Sequence, residues 1–130
     1  MQSDYARAHS AYQHGQVSAS SPLRIVVLLY DGAIGFSRQA QLGFAEPGVR
    51  GHALGRAHAI VSELMIALDH EKGGEIAARL ESLYRYVLDG LIRANTQADV
   101  KALDSAIGVL ETLAEGWHEI ARSGAGEVAR

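Results

Sequence analysis

The 130-residue chain predicts an all-α fold, an antiparallel four-helix bundle preceded by a short N-terminal helical or irregular segment. Three observations carry this prediction. Apolar residues recur at spacings of three and four along most of the chain, the period of helices with a buried face. Nowhere do apolar and polar residues alternate with period two, and there is no internal repeat or low-complexity block. Clusters of glycine, proline, asparagine and aspartate interrupt the periodicity and leave four stretches joined by short breaks, the layout of a bundle of sequentially antiparallel helices.

Residues 1–20 are less apolar than the rest. Asp4 can cap a short helix over "YARAHSAYQ", which sets Tyr5 and Tyr12 seven residues apart on one side, and "HGQVSASS" is turn-rich. The first long helix starts at Ser21-Pro22. A serine hydroxyl accepts from an orphan amide there, and proline fits the first helical position because its missing N–H costs nothing. It runs to about Leu42, where "GFAEPG" breaks it.

The second helix carries the seam Leu54, Ala57, Val61, Leu64 and Leu68 and is stopped by "DHEKGGE". The third spans Gly74 to Asn95, with Ile76, Leu80, Leu83, Val87 and Leu91 in one stripe, widened by Tyr84, Leu88 and Ile92. Asp99 is the expected cap of the fourth, whose seam is Val100, Leu103, Ile107, Leu110, Ala114, Trp117 and Ala121. The bundle thus occupies 21–122, and "SGAGEVAR" (123–130) reads as a flexible tail.

Totals exclude several function classes. With no cysteine there is no disulfide scaffold, thiolate metal site or cysteine nucleophile. A formal charge of −3 without a lysine/arginine cluster argues against nucleic acid. The longest apolar run, Ile25 to Tyr30, is far short of the ~20 residues that span a bilayer, and the polar start lacks a signal-peptide core. These features predict a soluble cytoplasmic protein.

The first long helix is unusual because it is apolar on two sides. Leu23, Val26, Val27, Tyr30, Ala33 and Ile34 form one face; Ile25, Leu28, Leu29, Gly32 and Phe36 form a second, roughly opposite. One face serves the core, and the second needs another cover: the N-terminal segment, a second copy of the chain, or a foreign polypeptide. Gly32, with Gly35 one turn on, thins the backbone where another chain can approach. The plainer explanation is that this helix is central and that the glycines accommodate a tight crossing.

"ASSPLRIVVLLYDGAIGF" resembles the signature of the flagellin export chaperones, the FliS family. The likeness continues through "AIVSELMIALDHEKGGEIAARLESLYRYVLDGLIRAN" and ends with "ADVKALDSAIGVLETLAEGWHEI", so with "AYQ" it covers nearly the whole chain in order. Gly35 and His70 depart from the family pattern, and "SRQAQLGFAEPGVRGHALG" is only loosely similar. The resemblance implies a non-catalytic chaperone, without cofactor or metal. Such a protein binds the disordered C-terminal segment of flagellin, prevents early polymerisation and passes the subunit to the export gate. It also implies that Tyr12, Ile25, Leu28, Leu29, Tyr30, Asp31, Gly32, Ala33, Ile34 and Phe36 line or support the flagellin surface. The N-terminal segment would lie as a lid over that groove when flagellin is absent.

Other chemistry fits the residues less well. "GHALGRAH" places His52 on a helix, as in histidine phosphotransfer domains, but those carry a lysine and then a glycine soon after the histidine; here Gly55 comes early and Arg56 follows. Asp69, His70, Glu71 and Glu75 straddle a helix break and have no second cluster to complete a coordination shell. The paired Glu-x-x-His motifs of di-iron bundles are absent, as is any nucleophile–base spacing. A monomer or weak homodimer is expected; in the latter the second apolar face would be a self-interface.

Overall fold

The computed structural model describes residues 22–128, with side chains through Ser123, so the expectations for Tyr5, Tyr12 and Ser21 lie outside the described residues. Four helices are present: α1 (Pro22–Leu42), α2 (Pro47–Ile66), α3 (His70–Thr96) and α4 (Val100–Val128). Connections of three or four residues force each helix back along its predecessor. α1 packs on α2 and α4, and α3 packs on the same two, so α1 and α3 occupy opposite corners of a square. This is the four-helix bundle that the periodicity predicts.

The seams fill the interior. The second seam is buried throughout: Leu54, Ala57, Val61 and Leu64 on α2, and Leu68 in the connection that follows it. α1 buries Leu23, Val26, Tyr30, Ala33, Ser37 and Ala40, a run of alternating three- and four-residue steps. On α4, Leu103, Ile107, Leu110, Ala114 and Trp117 are buried, whereas Val100 at the open end is exposed. On α3 the inward stripe is Ile76, Leu80, Tyr84, Val87, Leu88 and Leu91, while Leu83 and Ile92 face out. The expected stripe was therefore rotated slightly: Tyr84 holds the centre, not the edge.

Helix ends explain the remaining differences. α2 stops at Ile66, before Gly73-Gly74, because Asp69 starts the next turn by accepting from the amides of Glu71 (3.0 Å) and Lys72 (3.2 Å). That turn, His70–Gly73, joins the body of α3 through Gly74, whose φ of 50° and ψ of −124° are open to glycine alone. The turn folds back far enough for His70 Nε2 to reach Glu81 (3.3 Å). Asp99 caps α4 as expected, accepting from the Ala102 amide at 3.1 Å. α4 continues to Val128, past Ser123, where composition predicts a tail. At the far end Arg50 ties three pieces together: it donates to the carbonyls of Phe44 (2.9 Å) and Asn95 (3.2 Å) and stacks over the Phe44 ring. Asn95 lies within α3 rather than capping it.

α3 and α4 approach closely at Gly90, where a Cβ would stand 3.1 Å from the Ala102 carbonyl oxygen and 3.4 Å from the Ala106 methyl. Gly90→Ala should therefore cost about 1–3 kcal/mol. A Cβ at Gly35 meets nothing within 4 Å, so Gly35→Ala should stabilise by up to ~1 kcal/mol through helix propensity. Urea unfolding midpoints of the two variants test the pair of opposite signs.

Candidate functional site

The second apolar side of α1 divides on folding. Ile25 and Leu28 remain 45% and 56% exposed. Leu29, Gly32 and Phe36 are half-buried along the seam with α2. A Cβ at Gly32 would lie 3.3 Å from Ile60 Cδ1, so this glycine first of all admits a neighbouring side chain of α2. Phe36 lies beneath the Arg56 guanidinium, whose carbon is 5.1 Å from the ring centre. Gly35 is open to solvent, and Leu42, 90% exposed, ends the same line. The result is an outward apolar track along α1 with a floor borrowed from α2.

The opposite edge of α1 is polar. Asp31 Oδ1 pairs with His118 Nε2 of α4 at 2.9 Å, Arg38 pairs with Glu111, and Gln41 Nε2 donates to Asp104 Oδ1 at 2.8 Å. All these groups are exposed to a degree that limits each pair to ~1 kcal/mol or less. Their effect is to mark one border: the apolar track runs on the α2 side of this ladder, and Asp31 sits on the ladder itself.

Two of the residues expected to line or support the surface are placed to support it only. Tyr30 and Ala33 have no exposed area, so no partner can touch them without opening the bundle. The same helical register that turns Leu28 outward turns them inward. Ile34 is half-buried between the two sides, and Tyr12 lies outside the described residues.

Inside, the Tyr30 hydroxyl is hydrogen-bonded to that of Tyr84, across the diagonal between α1 and α3, and its ring lies 6.3 Å from those of Tyr84 and Trp117. Burial pushes the Tyr30 hydroxyl well above the ordinary tyrosine range; Tyr84 pushes the same way, while a hydrogen bond from Trp117 opposes it. Sequence reading missed this pairing, since nothing in a helical period says that two core tyrosines fifty-four positions apart will meet. It also missed Ser37, fully buried in α1 with its hydroxyl donating to the Ala33 carbonyl at 2.8 Å. A short polar residue in an apolar stripe is the one available signal for that arrangement.

Outside α1, α3 also leaves Leu83, Tyr86 and Ile92 exposed. Gly51, Leu54, Gly55 and His58 of α2 face Leu91, Ile92, Asn95 and Thr96 across a shallow recess of about 160 Å³. A polar recess of about 300 Å³ between α3 and α4 holds Asp89, Arg93, Asp99 and Lys101. His52 is exposed on α2, and the Arg56 that follows it is engaged by Phe36. Among the described residues no three carboxylate or imidazole groups gather to hold a metal ion, and no helix is long and apolar enough to cross a membrane.

Fold and surface together define a helical-bundle protein with an exposed apolar track along its first helix. The chain belongs to the FliS family: the family model described as flagellar protein FliS matches residues 5–124. It is 39% identical over 108 residues to the flagellar secretion chaperone FliS of Salmonella typhimurium, covering 80% of this chain and 79% of that one. Against the flagellar secretion chaperone FliSB of Pseudomonas aeruginosa the identity is 36%, covering 81% and 85%. Against FliS of Campylobacter jejuni it is 32%, covering 87% and 90%. The family is one of chaperones, not enzymes.

Two measurements test this geometry. Because the folded state holds the Tyr30 proton more tightly than the unfolded chain does, stability is complete below the unfolded value near 10 and falls as pH rises above it. The expected loss approaches ~1.4 kcal/mol per pH unit for this group, read as urea midpoints between pH 9 and 11. Leu28→Ser should change stability by less than ~0.5 kcal/mol, since the side chain is mostly in water already; thermal melts check it.

Proposed function

We propose that this protein is a cytosolic chaperone for flagellin. It binds the disordered C-terminal segment of the newly made subunit, blocks premature polymerisation and delivers the subunit to the flagellar type III export apparatus. The observation that carries the reading is the outward track of α1, with Ile25 and Leu28 exposed beside the half-buried Leu29 and Phe36, in a member of a family of flagellar secretion chaperones. The relatives are named for secretion chaperoning, and a chaperone of that kind needs surface for a chain that has not folded.

Mechanistically, a segment too poor in apolar residues to fold alone becomes ordered by laying an amphipathic face into a groove. Ordering costs roughly 2–5 kcal/mol, so the contact must be long, and the track from Ile25 to Leu42 runs the length of α1. Ile25, Leu28, Leu29, Gly32, Ile34 and Phe36 would meet the segment directly. Asp31 would border it, while Tyr30 and Ala33 would support the helix from within. Residues 1–20, with Tyr12, would cover the track when no client is present. Free protein would be a monomer or weak homodimer, with export-gate components as further partners.

Co-expression with the C-terminal segment of flagellin should yield a stable one-to-one complex. Leu28→Asp should weaken it about tenfold or more, because burying one leucine side chain is worth ~1.5–3 kcal/mol. Titration calorimetry measures both. Failure of the native chain to bind at concentrations on the order of 10 μM would remove the reading, and unchanged affinity in Leu28→Asp would move the site off α1.

A further inference from the structure

Leu23, Ile25, Val26, Val27, Leu28 and Leu29 make the first half of α1 apolar nearly all round. Hydrophobic burial has no direction. For such a helix it discriminates only weakly between turning Val26 inward and turning Val27 or Leu28 inward. Yet the structure is unambiguous: Val26 is 4% exposed and Leu28, 200° away on an ideal helix, is 56% exposed. Arg24, Asp31 and Arg38, exposed on the outward side, bias the helix the same way, and a directional contact in the core narrows the rotation further.

The polar pairs with α4 are exposed and weak. The interior offers a stronger device. The Tyr30 hydroxyl is fully buried, bonded to the Tyr84 hydroxyl of α3, with the Trp117 ring of α4 at its side. α1 and α3 are the diagonal pair, whose backbones do not meet, so this bond is a tie across the core. A rotation that turned Leu28 inward would carry the Tyr30 hydroxyl out of the core and break its bond to Tyr84. A single buried polar contact that fixes register in an apolar seam is an established device of helical assemblies.

We propose that Tyr84 and Trp117 are positioning residues for the outward track: by holding the Tyr30 hydroxyl they fix the rotation of α1 and decide which of its apolar residues face out. The functional half of this proposal rests on the flagellin-binding reading above; the structural half does not.

The chain has no native cysteine, so single thiols report the rotation cleanly. Val26→Cys and Leu28→Cys are introduced separately into the native chain and into the Tyr30→Phe/Tyr84→Phe chain, with Ala57→Cys on α2 as a buried control, and thiol labelling rates are measured. The native background should label position 28 fast and position 26 slowly. In the double-phenylalanine background the rate at 26 relative to 28 should rise about tenfold or more while position 57 stays protected. That factor corresponds to a native rotation no longer held exclusively. An unchanged ratio, or a rise at 57 in step with 26, overturns the proposal. Calorimetry with the flagellin C-terminal segment then reads the functional half: the double variant should bind about tenfold more weakly, as expected when the competent register is populated one time in ten. Native affinity in that variant overturns the link to binding. Absence of binding by the native chain defeats the flagellin reading instead, and the labelling ratio still judges the register lock. Trp117→Phe, which keeps an aromatic ring but removes the indole N–H, should move the labelling ratio in the same direction.

Discussion

A hydroxyl pair at the centre of the bundle, Tyr30 of α1 against Tyr84 of α3, is the contact on which the arrangement of the outer surface depends. Most of the surrounding core is leucine, valine, isoleucine and alanine, which fill space without specifying direction. The two phenols do specify it. They must find each other because each buries a polar oxygen, and a buried oxygen without a partner costs ~1–3 kcal/mol. Once they meet, the diagonal of the square is fixed, and with it the inward line from Leu23 through Val26 and Ala33 to Ala40. Everything that α1 shows to solvent is the complement of that line.

Around this centre the two seams of α1 have opposite characters. Toward α4 the seam is edged by an ion pair and two hydrogen bonds involving Arg38, Asp31 and Gln41, which tolerate water and contribute modestly. Toward α2 it is apolar and thinned by Gly32, where Ile60 fills the space a side chain would take. Surplus apolar surface therefore collects on one side of the helix instead of being spread around it. The polar border keeps that surface narrow and long.

Legibility followed the range of the interactions. Four helices, their seams and the Asp99 cap could be read because each depends on residues within one or two turns of one another. The end of α2 was misplaced because Gly73-Gly74 is a strong local stop, while the competing signal, Asp69 capping a turn that folds back toward Glu81, involves the next element. Leu83 and Tyr84 were assigned to the wrong parts of α3, since a stripe two residues wide fits the period equally well with either one at its middle. Of the candidate site, the division of α1 into two faces was visible. That Tyr30 and Ala33 belong wholly to the inner one, and that Gly32 first serves α2, was not.

The amino-acid sequence by itself determined that this chain is helical, where its helices break, and that α1 carries more apolar side chains than one buried face can use. Those properties follow from composition and spacing, which are local. Only the tertiary structure decided which of those side chains are covered. Coverage depends on the rotation of α1 against three neighbours, set by a hydrogen bond between residues 54 positions apart, and a period of 3.6 residues carries no information about what stands on the other side of the core.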